Sequence, residues 1–457
     1  MKTTALLKRF IPYYRNYVWI MAMDLFCAGL TTVCELVLPL ILRHITNVGM
    51  NDLGSLTVRM VVTIGGLYFV LRIIDGMASF YMAYTGHVMG ASIETDMRED
   101  AFEHLQKLSD NYFNNTKVGQ IMSRITSDLF DVTEFAHHCP EEFFIAFLKG
   151  VVSFVILARI NLLLTVIIFL LIPVMVVSCT YFNLQVRKAF RRQRNHIGEL
   201  NARIEDSLLG NKVVRAFANE KVEIDKFNHD NQEFLKIKRH TYKYMAAFQN
   251  TIRIFDGLMY VVVIVAGGIF MVDGLIAPGD LVAYTMYVTT LLATIRRIIE
   301  FAEQFQRGMT GVERFAELMD ASVDIFDEEG AVPLKDVEGE ISFRNVSFEY
   351  PDDHTPVLAD IDITIKPGEK VALVGPSGGG KTTLCNLIPR FYDPTRGEIL
   401  LDGQNIKKVT LESLRSNVGV VQQDVYLFSG SVYDNIAYGR PGAGREEVME
   451  AARLAGA

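Results

Sequence analysis

Apolar residues are concentrated in residues 1–320 of this chain rather than spread evenly along it. The segment Ile160–Val186 contains no charged residue, and it exceeds the roughly 18 apolar residues that mark a membrane-spanning helix. Gly257–Val272 and Leu281–Ile295 are also free of charge but shorter, and Phe143–Ala158 carries only Lys149. These runs, with interrupted ones nearer the N-terminus, predict six membrane helices near residues 17–42, 56–84, 141–159, 161–182, 245–272 and 281–305.

The distribution of basic residues indicates how these helices are oriented. Lys and Arg are frequent between the fourth and fifth predicted helices, from Arg187 to Lys243, and before the first helix, whereas residues 273–280 contain neither. By the positive-inside rule, both termini and the two long loops are therefore expected to be cytoplasmic. The net charge of −8 averages unlike regions. Because the Arg187–Arg194 cluster follows an apolar span directly, lipid headgroups explain it better than nucleic acid, and no nucleic-acid partner is expected.

Two loops keep a helical composition beyond the membrane. An unbroken helix over residues 56–108 would be about 80 Å long at 1.5 Å per residue, far longer than the roughly 30 Å hydrocarbon core. Residues 183–244 are likewise rich in Arg, Glu, Leu and Ala. Such long helical extensions predict a cytoplasmic domain that they contact.

The character of the sequence changes after residue 320. Residues 321–340 are acidic and contain Gly330, Pro333 and Gly339, which predicts a linker before a soluble domain at 341–457. β-like runs follow in that domain, at Ile341–Tyr350, Asp360–Ile365, Lys370–Val374, Gly397–Leu401 and Asn417–Val421.

The strongest motif lies in this second region. Residues 375–382 read GPSGGGKT and match the phosphate-binding pattern G-x-x-x-x-G-K-[ST], with a β-like run before them and a helix-like run after them. Glycines allow backbone N–H groups to surround phosphates, and the start of the following helix adds a favourable dipole. Lys381 is expected to reach the β- and γ-phosphates, and the Thr382 hydroxyl to ligate Mg²⁺.

With these motifs, nearly the whole chain resembles an ATP-binding-cassette exporter half-transporter. The resemblance implies a membrane all-α six-helix exporter domain followed by a partial α/β P-loop nucleotide-binding domain. Tyr350 resembles the aromatic residue that stacks on adenine, and Gln423 resembles the Q-loop glutamine, its spacing to Asp424 favouring it over Gln422. Residues 112–128 and 199–220 resemble the two intracellular coupling loops. The implied ATP and Mg²⁺ ligands are Tyr350, Gly375, Ser377, Gly378, Gly379, Gly380, Lys381, Thr382, Thr383 and Gln423, with Thr382 and Gln423 serving Mg²⁺.

The signature motif and the Walker B glutamate of that family do not occur before Ala457. Ile399–Asp402 and Leu427–Ser431 resemble fragments of them, but both lie at the wrong place relative to the phosphate-binding loop, so we expect structural roles for them. The resemblance then implies a C-terminally truncated sequence. No catalytic residue is assigned, and ATP hydrolysis by these 457 residues alone is not expected.

The resemblance implies a multi-pass membrane protein, in the cytoplasmic membrane if the source is bacterial, that pairs with a second half-transporter as a homodimer or heterodimer. It would export a substrate that the sequence leaves unidentified. The alternative is a non-catalytic, nucleotide-sensing membrane regulatory subunit.

Ionisable residues in or beside the predicted spans are costly and often functional. They are Asp24, Glu35, Arg72, Asp75, Lys149 and Asp256. They could line a polar substrate path, or simply pair, as the spacing of Arg72 and Asp75 allows. His137, His138 and Cys139 match no zinc-ligand spacing, so the sequence does not favour a metal site there.

Overall fold

The computed structural model describes residues 3–51, 53–350, 356–421 and 425–457. The chain forms two compact units. The first consists of Met1–Gln106 and Thr116–Ala321, and the second of Lys107–Asn115 and Ser322–Ala457. The predicted domain boundaries, at 320 and 341, stay a prediction.

The helices are, in chain order, α1 (Thr3–Phe10), α2 (Val18–Asn51), α3 (Val58–Tyr81), α4 (His87–Lys107), α5 (Asp110–Asn115), α6 (Val118–Ile125), α7 (Ser127–Ile160), α8 (Leu162–Leu209), α9 (Asn211–Ala216), α10 (Glu220–Val272), α11 (Pro278–Met319), α12 (Lys381–Leu387), α13 (Leu411–Ser416), α14 (Val432–Ala437) and α15 (Arg445–Leu454). The strands are β1 (Ile341–Glu349), β2 (Pro356–Ile365), β3 (Arg396–Leu401) and β4 (Gln404–Asn405).

Five helical segments of the first unit are long and apolar enough to cross a membrane: Thr4–Asn51, Val58–Lys107, Val118–Ile160, Leu162–Leu209 and Glu220–Val272. The sixth predicted span lies within α11, which is helical but is not one of these five, so six spans are not confirmed. The charge-free run of α11, Leu281–Ile295, has only 15 residues and is bounded by Asp280, Arg296 and Arg297. Many side chains of α11 are buried against other helices, including those of Tyr284 and Tyr287. These side chains are therefore shielded from water by protein rather than by lipid.

The long second helix is confirmed. Helical structure is continuous from Val58 to Lys107 through α3, a π-helical turn at Met82–Gly86, and α4. The segment has 50 residues, which corresponds to about 75 Å at 1.5 Å per residue. Its single irregularity is the π-helical turn, a feature often found at functional sites.

Helices α7 and α11 approach each other closely through glycines of α11. A Cβ atom added to Gly308 would lie 2.7 Å from Phe135 Cγ, and one added to Gly311 would lie 2.5 Å from the Asp128 carbonyl oxygen. The Arg314 guanidinium then reaches the Asp128 carboxylate at 3.1 Å. The absence of side chains at the two glycines therefore sets the separation of these helices.

Tyrosine hydroxyls satisfy backbone carbonyls in the interior of the bundle. Tyr287 donates to the Leu36 carbonyl at 2.7 Å, and Tyr284 lies 2.8–2.9 Å from the carbonyls of Leu157 and Asn161. Pro140, inside α7, has no N–H for the carbonyl four residues earlier. The Tyr14 hydroxyl donates to that carbonyl, on Ala136. These bonds matter because lipid offers backbone groups no partner.

The second unit contains an antiparallel sheet in the order β2-β1-β3-β4. Its strands confirm the β-like runs near 341, 360 and 397. The runs at Lys370–Val374 and Asn417–Val421 are not strands in the structure. Neither has a strand partner among the described residues, and Val374 and Val421 are 93% and 99% exposed. Without a partner for their backbone groups, apolar alternation alone does not make a strand.

Two flanking segments pack into the second unit. Leu334, in the predicted linker, is buried among side chains of the sheet, and Val332 forms a parallel bridge with Val409. From α5, the Asn114 side-chain amide donates to the Tyr392 hydroxyl at 2.9 Å. Both segments therefore contribute to the core of this unit.

We expect Gly308→Ala to destabilise the protein, because the added methyl group overlaps Phe135 and forces α7 and α11 apart, at a cost of about 1–3 kcal/mol. Thermal unfolding of the detergent-solubilised chain measures the effect. Gly66→Ala is the matched control: a Cβ there meets nothing within 4 Å, so better helix propensity should leave stability equal or higher. Equal melting temperatures for the two variants would contradict the packing argument.

Candidate functional site

The phosphate-binding motif forms a loop directly before α12. Gly378 and Gly380 have φ of +82° and +76°, a left-handed conformation that glycine adopts without strain. Gly380 is also buried against β2, where an added Cβ would lie 2.8 Å from Leu358 Cδ2 and 3.1 Å from the Val357 carbonyl oxygen. The glycine positions in the motif therefore serve both the backbone path of the loop and its contact with the sheet.

Lys381, the first residue of α12, folds back onto the loop. Its Nζ donates hydrogen bonds to the carbonyl oxygens of Gly375 and Pro376 at 3.0 and 2.7 Å. The ammonium group thus lies at the loop backbone, where a phosphate ligand would compete with these carbonyls. The side chain of Thr382 is exposed beside it.

Tyr350 and Thr383 lie together on the other side of this helix start. The Tyr350 hydroxyl is 3.0 Å from Thr383 Oγ1, and Thr383 is buried. The Tyr350 ring makes edge contacts with Phe348 and Tyr392, at centroid distances of 5.0 and 5.6 Å. The sequence-predicted aromatic residue is therefore adjacent to the loop and held by aromatic packing.

The structure brings most of the predicted nucleotide ligands together. Gly375, Ser377, Gly378 and Gly379 are exposed in the same loop that Lys381 closes. Gln423 lies outside the described residues, as do Gln422 and Asp424.

Asp402, at the end of the first motif-like fragment, has the structural role expected from the sequence. Its carboxylate accepts hydrogen bonds from the backbone N–H groups of Glu338, Gly339 and Glu340 at 2.8–3.1 Å. This carboxylate therefore ties the segment before β1 to the end of β3.

The second fragment, Leu427–Ser431, ends at a helix cap. Ser431 Oγ accepts a hydrogen bond from the Asp434 N–H at 3.1 Å, and Asp434 bonds back to Ser431 at the start of α14. The hydrogen bonds from the Ser431 hydroxyl and backbone lower the pKa of Asp434. This capping box explains the residues without any catalytic role.

A cavity of about 560 Å³ lies in the first unit, between helices α2, α3, α4, α7 and α11 and the π-helical turn. Three ion pairs among the described residues line it: Arg72–Asp75 at 2.8 Å, Lys149–Glu35 at 2.6 Å and Arg297–Glu142 at 2.5 Å. Four of the six intramembrane charges found in the sequence therefore meet at one cavity. Asp256 instead pairs with Arg296.

Asp24 lies close to the cavity but is fully buried, and both of its carboxylate oxygens lack a hydrogen-bond partner among the described residues. Glu141 is also buried and lines the cavity. Sequence reasoning missed Arg297, since it lies beyond the charge-free part of α11. Because Arg297 and Glu142 lie on different helices, no local sequence pattern predicts that they pair.

Comparison with known proteins gives two family matches in one chain. The ABC transporter transmembrane region matches residues 21–295, and the ABC transporter family matches residues 358–456. The chain belongs to the ABC transporter family. Its two regions are thus a multi-pass membrane domain fused to a region of the nucleotide-binding type.

Similar proteins share nearly the full length of this ABC transporter chain. YwjA of Bacillus subtilis (strain 168), an uncharacterized ABC transporter ATP-binding protein, is 38% identical over 98% of this chain and 78% of its own length. YgaD of the same organism, provisionally named a multidrug export ATP-binding/permease protein, is 30% identical over 99% of this chain and 78% of its own. The ATP-dependent lipid A-core flippase of Syntrophus aciditrophicus (strain SB) is 33% identical over 85% and 64%.

The ABC transporter match implies ATP binding, typically with Mg²⁺. The residues of this transporter fit such a ligand. Gly378 and Gly380 give the loop its left-handed turns, Lys381 offers a cation at the loop backbone, and Thr382 offers an exposed hydroxyl for Mg²⁺.

We expect Asp402→Ala to release the backbone amides of residues 338–340, because each loses a hydrogen bond to a charged acceptor worth about 1.5–3 kcal/mol. Hydrogen exchange followed by mass spectrometry should show these amides exchanging roughly tenfold faster or more. Asp434→Ala is the matched control, since its carboxylate binds the amide of Ser431 and not those of residues 338–340. Unchanged exchange at residues 338–340 in Asp402→Ala would refute the assigned role.

Proposed function

We propose that this chain is an ABC exporter subunit that binds MgATP at the loop Gly375–Thr383 and uses that binding to move an amphiphilic molecule through the membrane domain. One observation carries the proposal: a helical membrane unit with a cavity lined by ion pairs and a glycine-rich loop with the phosphate-binding sequence pattern occur in one polypeptide. The relatives named for multidrug export and for lipid A-core flipping support the direction and the kind of cargo.

In this proposal Lys381 leaves the carbonyl oxygens of Gly375 and Pro376 and donates to the β- and γ-phosphates instead. Exchange of neutral carbonyl acceptors for charged phosphate oxygens strengthens the hydrogen bonds. The Thr382 hydroxyl takes a position on Mg²⁺, and Gln423 is proposed as the second side chain toward that ion. Tyr350 packs against the adenine ring.

The backbone of the loop supplies the remaining contacts. The N–H groups of Ser377, Gly378, Gly379 and Gly380, with that of Thr383, are proposed to surround the phosphates. Ser377, Gly378 and Gly379 are exposed, so their N–H groups are accessible to such a ligand. Gly380, packed against β2, fixes the end of the loop at the start of α12.

The cavity supports an amphiphilic cargo. Its lining combines three ion pairs with apolar side chains such as Met82 and Ile145. The charged group of such a molecule could replace one partner in one of these ion pairs, while its apolar part stays among the helices. Drugs and lipids both have this composition, and the relatives' names include one of each.

Partner and coupling complete the proposal. A second half-transporter, identical or different, is expected to pair with this chain in the bilayer, with both termini cytoplasmic. The proposed coupling segment is α5, which belongs by sequence to the membrane region yet bonds through Asn114 to Tyr392 in the second unit. Domain boundaries at 320 and 341 are part of the proposal.

We expect Lys381→Ala to weaken ATP binding about 10- to 100-fold, because a hydrogen bond to a charged partner contributes about 1.5–3 kcal/mol. Equilibrium binding of radiolabelled MgATP to the detergent-solubilised chain measures this loss. Lys370→Ala removes an exposed lysine before the loop and should leave the affinity unchanged. Equal affinities for the two variants would argue against a phosphate contact by Lys381.

Transport is tested in proteoliposomes that contain the purified protein, a fluorescent phospholipid and a cationic dye. A single MgATP-dependent movement of either probe, absent in Lys381→Ala, is the expected result, because repeated cycles need ATP hydrolysis, which these 457 residues alone are not expected to perform. If MgATP binds with normal affinity and neither probe moves, the proposed export fails, and the nucleotide-sensing regulatory subunit becomes the better description.

A further inference from the structure

A group of side chains that could ligate a metal lies in the first unit, and two of its members, His87 and His138, line the cavity described above. Its members are His87, Glu134, His137 and His138, called here the histidine cluster. One ligand atom from each lies within 4.8 Å of the ligand atoms of the others. Three imidazole rings are involved, with centroids 3.9–5.0 Å apart.

Two features of the helices create this cluster. Glu134, His137 and His138 are spaced i, i+3 and i+4 on α7, which places them on one face of the helix. His87 follows the π-helical turn at Met82–Gly86 and begins α4. The helix α4 approaches α7 at Gly90, where an added Cβ would lie 2.9 Å from His137 Nδ1.

His137 is held in the tautomer that a metal ligand needs. Its Nδ1 lies 2.9 Å from the Thr133 carbonyl oxygen, which only accepts, so Nδ1 carries the hydrogen. Its Nε2 therefore has a free lone pair. The residue is only 1% exposed, and Nε2 is buried with no hydrogen-bond partner among the described residues. A backbone carbonyl that orients the opposite ring nitrogen is the usual support for a metal-bound histidine.

The neighbouring groups fit a bound cation. His138 Nε2 lies 3.6 Å from Glu134 Oε2, and the Gln304 side-chain amide donates to the same carboxylate oxygen at 3.1 Å. The Asp24 carboxylate lies beside the π-helical turn near His137, since a Cβ on Gly86 would lie 3.2 Å from Asp24 Oδ1 and 3.8 Å from His137 Cδ2.

The nearest competing cation is already compensated. Arg297 lines the cavity beside His138, and its guanidinium pairs with Glu142 at 2.5 Å. His87 and His138 both line the cavity, so an ion that enters the cavity can reach the cluster. The second group of this kind, around His229, differs because the Arg203 guanidinium occupies its Asp230 at 2.5 Å.

We propose that the histidine cluster binds one divalent transition-metal ion, with Zn²⁺ as the ion that best matches three imidazoles and one carboxylate. Mg²⁺ and Ca²⁺ are disfavoured because they take oxygen ligands almost entirely. Tetrahedral zinc holds its ligand atoms about 3.4 Å apart, so a separation at the 4.8 Å limit closes by about 1.4 Å on binding. The exposed His87 side chain is free to make that movement. The sequence alone disfavoured a metal here because the adjacent residues His137, His138 and Cys139 match no zinc-ligand spacing. The inference does not depend on nucleotide binding or transport.

Equilibrium dialysis of the full, chelator-treated chain against Zn²⁺, without a histidine tag, tests the site. Elemental analysis should find about one Zn²⁺ per chain, and Co²⁺ in its place should give the visible bands of a tetrahedral site. His138→Gln and Glu134→Gln should each weaken Zn²⁺ binding at least about tenfold. His240→Gln, an exposed histidine outside the cluster, is the matched control and should bind as the parent does.

Melting temperatures measured without metal identify any variant that fails to fold. If His138→Gln or Glu134→Gln fails to fold, the other of these two variants decides the outcome. The proposal is overturned if the parent chain retains no stoichiometric Zn²⁺. It is also overturned if both folded ligand variants bind Zn²⁺ within tenfold of the His240→Gln control.

Discussion

The close approach of α7 and α11 is the constraint on which the membrane unit depends. Glycines at 308 and 311 let the two helices meet at the distance of a backbone contact, and the Arg314–Asp128 pair then forms beside them. The same pair of helices carries Arg297 and Glu142, whose ion pair lines the cavity. Glu142 is buried, so without Arg297 its charge would lack both water and a counter-ion.

Backbone satisfaction explains why helix α7 tolerates a proline at this place. Pro140 leaves the Ala136 carbonyl without its helical donor, and the Tyr14 hydroxyl replaces it. The irregular geometry next to His137 therefore exists without an unsatisfied carbonyl. In the second unit the roles are reversed, because the Asp402 side chain is the acceptor. Its carboxylate accepts hydrogen bonds from three backbone N–H groups before β1. In both units a side chain completes backbone bonding where regular structure ends.

Sequence reasoning located what is encoded locally. The apolar runs gave the helices, and the glycine spacing gave a loop in which Lys381 lies against the backbone carbonyls. Sequence reasoning failed where the structure of a segment depends on residues elsewhere in the chain. The run at Lys370–Val374 has the alternation of a strand, but a strand also needs a hydrogen-bonded neighbour, which no local pattern guarantees. The helix α11 is not confirmed as a span because Asp280 and Arg296 bound its apolar run, and their ion-pair partners, Arg43 and Asp256, lie elsewhere in the chain.

The histidine cluster shows the same limit in a functional setting. Glu134, His137 and His138 have a helical spacing that sequence alone could have recognised, yet three ligands on one helix face leave the fourth position undefined. His87 lies nearly fifty residues earlier, and only the π-helical turn and the missing side chain at Gly90 bring it to the same place. Because His137 already donates through Nδ1, its buried Nε2 can act only as an acceptor. A buried acceptor without a donor is costly in a protein interior, and a metal ion is the partner whose other requirements these neighbours also meet.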